Sequence, residues 1–279
     1  MKIDSHQHLW RLDRGDYGWL TPAKTAIYRD FGPDDLAPIL ARHSISRTIL
    51  VQAAPTIAET EFLLDVAARC PFVAGVVGWI DFTASDGAAT VQRLSRNPLL
   101  VGLRPMVQDI EDDDWLLRRD IEPAIRAMVE SGLVFDALVR PRHLSRLLTL
   151  VDRHPDLRIV VDHGAKPAIA DNRLVPWNAD MAAIAARPWV YCKLSGLANE
   201  AGSDWRNDTL APYVSRLIDT FGPTRLLWGS DWPVVNLAGG YDRWHAAAVE
   251  LTAELPGDAK DEIFGRTAER LYLLHRGRK

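Results

Sequence analysis

A chain of 279 residues with a formal net charge of −4 and no Lys/Arg block lacks the basic stripe that holds nucleic acid. Its 47% hydrophobic and 25% charged residues match an average globular protein, which argues against disorder, and no run of about 18 apolar residues is present to span a membrane. The two cysteines, Cys70 and Cys192, form no CxxC pair, and the chain opens on Met1-Lys2-Ile3-Asp4 without the apolar stretch of a signal peptide, so a cytoplasmic protein acting on a small molecule is expected.

In chain order, apolar or β-branched runs recur at residues 3–8, 48–52, 73–80, 99–107, 133–139, 158–163, 190–194 and 225–229. Continuous stretches such as Ile159-Val160-Val161 and Leu226-Leu227-Trp228 suit parallel strands covered on both faces. Most of the intervening segments read as amphipathic helices. Pro33-Asp34-Asp35 opens a helix through His43, and Thr56-Ile57-Ala58-Glu59 has the form of a capping box before Phe62-Leu63-Leu64. Leu144, Leu147, Leu148 and Val151 make the i, i+3, i+4, i+7 stripe of a helix packed on a sheet. Further helices are expected at 208–221, 241–255 and 258–275.

Eight strand–helix repeats without a Gly/Ser linker point to a single (β/α)8 barrel domain over residues 1–279. An open doubly wound sheet is the competing α/β architecture, but neither GxGxxG nor GxxxxGK[ST] is present to mark its phosphate turn.

In such a barrel, polar residues just past an apolar strand face the site at the C-terminal end. The runs end at His6/His8, Gln52, Trp79/Asp81, Arg104, Arg140, His163/Lys166, Lys193/Ser195 and Asp231. His6 and His8 share a strand face, so both imidazoles can ligate one divalent ion or donate to one oxyanion. His163 follows an apolar run and precedes Gly164, as at a strand end open to a ligand, although a buried histidine satisfied by backbone has the same signature. Asp231 lies between Trp228 and Trp232, a setting that desolvates a carboxylate and raises its pKa toward general-base duty unless cations oppose the shift; a helix cap is its other reading.

Together, Ile3-Asp4-Ser5-His6-Gln7-His8 and Gly229-Ser230-Asp231-Trp232-Pro233 resemble the amidohydrolase superfamily. His8-Leu9-Trp10, Asp16-Tyr17-Gly18-Trp19-Leu20, Gly102-Leu103-Arg104, Asp162-His163-Gly164-Ala165-Lys166-Pro167 and Tyr191-Cys192-Lys193-Leu194-Ser195-Gly196-Leu197 extend the likeness to its sugar-lactonase branch. The resemblance implies a hydrolase that opens small sugar lactones, aldono-1,4- or 1,5-lactones. In it Asp231 activates water while His6, His8 and His163 polarise the carbonyl, directly or through one divalent metal such as zinc held by His6, His8, His163 and Asp231. Arg104 and Arg140 stand where metal-rich members carry further ligands, so a two-metal centre is not expected and the single ion is dispensable in related lactonases. A metal-dependent nonoxidative decarboxylase on the same scaffold and a catalytically silent sugar-binding barrel are the alternatives. A homo-oligomer is compatible with either.

Arg104, Lys166 and Lys193 are candidates for binding ring hydroxyls or a carboxylate, and Trp19, Trp79 and Trp232, with Trp10, for flat surface against a sugar ring. Core packing is the other reading of each tryptophan. For Lys193 it is an ion pair inside the strand layer.

Overall fold

The computed structural model describes residues 1–274. Eight strands, β1 (Lys2–Gln7), β2 (Ile45–Val51), β3 (Val73–Gly78), β4 (Leu100–Leu103), β5 (Val134–Ala137), β6 (Ile159–Val161), β7 (Val190–Leu194) and β8 (Leu226–Trp228), pair in parallel, each with the next. The seam between β8 and β1 is closed by the segment after β8. There the His8 N–H donates to the Trp232 carbonyl at 2.6 Å and the Asp231 N–H to the His6 carbonyl at 2.8 Å. Gly229 is required at this seam, because a Cβ there would lie 2.7 Å from Cβ of His6.

Among the described residues ten α-helices follow or flank the strands: α1 (Pro33–His43), α2 (Ile57–Arg69), α3 (Gly87–Leu94), α4 (Glu122–Ser131), α5 (Leu144–Arg153), α6 (Trp177–Ala185), α7 (Leu197–Glu200), α8 (Asn207–Phe221), α9 (Tyr241–Leu251) and α10 (Gly257–Asp261). The α5 stripe is observed, with Leu144, Leu147 and Val151 buried and Leu148 partly so. Because every strand is covered outside by helices and inside by its neighbours, alternate residues of one apolar run enter different cores. Val160 packs inside the barrel with Ile3, Ile49 and Val77, whereas Ile159 and Val161 pack against the helical shell.

Several element ends differ from the sequence expectation. β4 stops at Leu103 because Pro105 has no N–H to continue the ladder; the last strand-like bond is Arg104 N–H to the Gly78 carbonyl at 2.8 Å. Thr56 does cap α2, accepting from the Glu59 N–H. The Glu59 carboxylate, however, reaches back past Thr56 to the N–H groups of Ala53 and Ala54, at 3.0 and 2.7 Å. The helix expected at 241–255 ends at Leu251, where the Thr252 hydroxyl bonds the Ala248 carbonyl. The last expected helix is α10 followed by widened π turns at Glu262–Arg266 and Glu269–Leu273, with position 275 outside the described residues. These turns bring Leu271 and Tyr272 against Ile3, Val134 and Val160, closing the end of the barrel opposite the site.

Candidate active site

Period two along the strands builds the site in tiers. On β5 and β6, Val134 and Val160 occupy the inner core and Asp136 and Asp162, two residues on, form a polar tier above them, joined by Lys193 of β7. Leu227 of β8 faces the inner core and Gly229 just after it lies against His6, while Asp231, two residues further on, reaches the mouth through a left-handed backbone.

The three histidines and the aspartate meet there. Asp231 Oδ1 lies 3.3 Å from Nε2 of His8, 3.7 Å from Nε2 of His6 and 3.8 Å from Nε2 of His163; Nε2 of His6 and His8 are 3.2 Å apart. His163 and Asp231 are both in the left-handed region, with φ of 55° and 57°, a conformation that non-glycine residues adopt at some local cost and that here turns each side chain inward. Gly196, itself at φ 65°, leaves room for the His163 ring, since a Cβ would come within 2.6 Å of it. The helix-cap reading of Asp231 is therefore replaced by one in which the carboxylate faces the imidazoles.

Outer partners fix the rings. His8 Nδ1 is 2.8 Å from the Val51 carbonyl, which can only accept, so Nδ1 carries a proton and Nε2 is the atom turned toward Asp231. His163 Nδ1 is 2.8 Å from the Ser195 hydroxyl. Burial drives the His163 imidazole down to about 4, against the opposing pull of Asp231 and Asp162. Burial, reinforced by Lys193, holds His6 well below its ordinary value as well. Both are neutral rings at neutral pH. Burial alone would raise the Asp231 carboxyl, but the imidazoles of His163, His8 and His6 turned onto it outweigh the burial and hold it below the usual carboxylate range. The expected raising by burial is present but outweighed, and the flanking tryptophans are not its source. Trp228 turns outward onto Tyr241 and Phe264, and Trp232 packs on Phe31 with ring centres 5.2 Å apart.

The donor set fits one divalent ion. One ligand atom from each of His6, His163 and Asp231 lies within 4.8 Å of the others, with His8 beside them, and this is the single such group among the described residues. A tetrahedral zinc with bonds of about 2.0–2.1 Å spaces its donors about 3.3 Å apart, close to the separations above. The bonds from the far ring nitrogens to Val51 and Ser195 are of the kind that orient metal-bound histidines.

His8, His163 and Asp231 face a cavity of about 290 Å³ that also takes in Trp19, Arg104 and Lys166, with His6 buried behind them. The Arg104 guanidinium donates to the Gln52 carbonyl and lies 3.4 Å from both Asp162 Oδ2 and His6 Nε2, so it forms one wall. Lys166 faces Glu200 at 3.7 Å. Four substrate-binding candidates do not reach this cavity. Lys193 is fully buried in the tier below, with Nζ 2.5 Å from Asp136, 3.0 Å from Asp162 and 3.1 Å from Nδ1 of His6, so the ion-pair reading holds and substrate contact does not. Trp232 is core, as is Trp10, because both rings are enclosed by Phe31 and its neighbours. Trp79 lines an adjoining cavity of about 460 Å³ that shares Trp19, Met106 and Asp109 with the first. A cavity of about 440 Å³ beside Cys70 on the outer face holds none of these groups.

Asp136, Asp162 and the loop residues Gln108 and Asp109 were not among the sequence candidates. Asp136 carries a visible signal, a carboxylate in the middle of the apolar strand Val134–Ala137, and Asp162 shares its inward parity with Val160. Gln108 and Asp109 follow β4 in a short helical turn and carry no pattern of their own.

A parallel eight-stranded barrel with histidines on its first and sixth strand ends and an aspartate after the last defines the class, and a family described as amidohydrolase matches residues 3–274; the chain belongs to that family. Within it, the chain is 48% identical to an L-fucono-1,5-lactonase of Burkholderia ambifaria, over 99% of this chain and 96% of the relative. It superimposes with a TM-score of 0.92 on an amidohydrolase of Burkholderia multivorans crystallised with bound zinc, 35% identical, over 98% of this chain and 99% of that one. The 5-carboxyvanillate decarboxylase of Sphingomonas paucimobilis, at 16% identity and a TM-score of 0.63 over 97% of this chain and 95% of that one, shares the fold alone.

Proposed function

We propose that this protein hydrolyses sugar 1,5-lactones, with L-fucono-1,5-lactone the first substrate to try, and that Asp231 is the base. The observation that carries the reading is the approach of three imidazole Nε2 atoms to within 3.3–3.8 Å of one oxygen of an ionised carboxylate at the barrel mouth. The 48% identical lactonase supports it from a different direction.

A lactone is an ester with a poor leaving group, so its opening requires an activated water and a stabilised tetrahedral oxyanion. Asp231 accepts a proton from water as the oxygen attacks the carbonyl carbon. The carbonyl oxygen gains charge next to the His6, His8 and His163 cluster and the Arg104 guanidinium. The ring C–O bond then breaks, and the proton held by Asp231 passes to the leaving alkoxide, giving the hydroxy acid. His6, His8, His163 and Asp231 are the residues that would hold a zinc ion, and a bound ion would supply Lewis-acid polarisation of the carbonyl. A stabilising donor of this kind contributes about 3 kcal/mol of barrier lowering.

The test is a pH-indicator screen of aldono-1,4- and 1,5-lactones with purified protein. Turnover of 1,5-lactones is expected; a screen in which no lactone is opened overturns the reading.

A further inference from the structure

The cavity above Asp231 holds a cation and an anion that are not engaged with one another. Three of its cationic side chains have partners: Arg104 with the Gln52 carbonyl and Asp162, Lys166 with Glu200, and Lys24 with the Trp19 carbonyl at 2.9 Å. Arg140 has none. Its backbone N–H donates to Nδ1 of His143 at 3.1 Å, which fixes the residue just beyond β5, but its guanidinium makes neither an ion pair nor a hydrogen bond among the described residues.

Asp109 lines the same cavity from the loop after β4. That loop is pinned to the end of β5 by the Gln108 N–H on the Leu138 carbonyl at 3.0 Å. The Asp109 carboxylate accepts from the Gln108 amide at 3.1 Å and forms no ion pair among the described residues. Adjacent strand ends thus present a five-donor fork and an acceptor-only group to one space without pairing them.

The chemistry of that pair selects its ligand. A carboxylate would satisfy Arg140 but would lie against Asp109 and the ionised Asp231; an ammonium would satisfy the acids but would face Arg104, Arg140 and Lys166. A hydroxyl donates and accepts at once, so neighbouring hydroxyls on a neutral ring can accept from Arg140 and donate to Asp109 together. We infer that Arg140 and Asp109 form a hydroxyl-recognition pair that makes the site selective for neutral, polyhydroxylated lactones over lactones carrying a carboxylate. This rests on the lactonase reading and adds the residues that set its specificity.

The experiment compares kcat/KM for L-fucono-1,5-lactone, for unsubstituted δ-valerolactone and for an aldaro-1,5-lactone, which adds a carboxylate to the same ring. Arg140→Gln is expected to lower the ratio of L-fucono-1,5-lactone to δ-valerolactone at least tenfold, because a site built to bind hydroxyls loses that discrimination with its donor. Asp109→Asn, at an exposed position that folding tolerates, is expected to lower the same ratio and to raise relative turnover of the aldarolactone at least threefold. Ratios unchanged in Asp109→Asn, with the parent still opening δ-valerolactone, overturn this inference and leave the lactonase reading standing; a parent that opens no lactone overturns both.

Discussion

Asp231 Oδ1 lies 3.3 Å from Nε2 of His8 across the seam where the last and first strands of the barrel meet. The two residues are 223 positions apart, so this contact exists only once the barrel is closed. Closure and assembly of the site are one event, and the seam's backbone bonds hold the two side chains in register.

Replacing the proposed base while keeping its shape tests its role. Asp231→Asn is expected to lower kcat for a 1,5-lactone by about 10² or more while leaving the circular dichroism spectrum unchanged, since loss of a general base removes about that much. Activity retained within about tenfold of the parent would mean that another group takes the proton.

Metal binding can be read without turnover. Titration calorimetry of chelator-treated protein with zinc is expected to show one site, weakened at least tenfold in His163→Ala, because one of the converging ligands is gone. A stoichiometry of two, or an unchanged affinity in the variant, would contradict the single-ion set.

Lys193 supports the site from below, and its loss should register first as stability. Lys193→Met leaves Asp136 and Asp162 buried without their shared ammonium, and breaking a buried pair in this way costs about 3–5 kcal/mol. Urea denaturation measures it, and adding Asp136→Asn to the variant should restore part of the loss. A variant as stable as the parent would show that the tier needs no cation.

Gly196 serves geometry alone. Gly196→Ala places a methyl group 2.6 Å from the His163 ring in a left-handed backbone, so His163 must move from Asp231. Lactone turnover should fall at least tenfold, with a stability loss of about 1 kcal/mol or more. Parent-like kcat in this variant would remove His163 from the working geometry.

Acid should weaken the fold partly through His245, whose imidazole is pushed down to about 4 by burial, with His43 and Lys2 adding to the effect. A histidine in the unfolded chain titrates near 6.5, so below that value the unfolded state binds the proton first. The contribution is complete above about pH 6.5 and is lost as pH falls from there toward 4. Urea midpoints at pH 7.5 and 4.5 should therefore differ less in His245→Gln than in the parent; equal differences would assign the acid sensitivity elsewhere.

The strand order, the three histidines and Asp231 were legible in the sequence because each rests on local chemistry. Parallel strands buried on both faces must be apolar throughout, and the polar residue that ends such a run must face the mouth, as His163 does after Ile159–Val161. The ends of β4 and of the helix after β8 were less so, because apolar pattern runs on past the point where Pro105 or a cap at Thr252 stops the hydrogen bonding.

What only the tertiary structure decided was which polar groups meet. Strand parity alone does not say whether Lys193 rises to the cavity or stays beneath it; carboxylates from β5 and β6, distant in sequence, hold it down. Trp232 and Trp79 were equally open until packing put one in the core and the other beside a neighbouring cavity. Asp231 keeps its charge for the same reason: three imidazoles brought from two other strand ends outweigh its burial, and no spacing along the chain measures that balance.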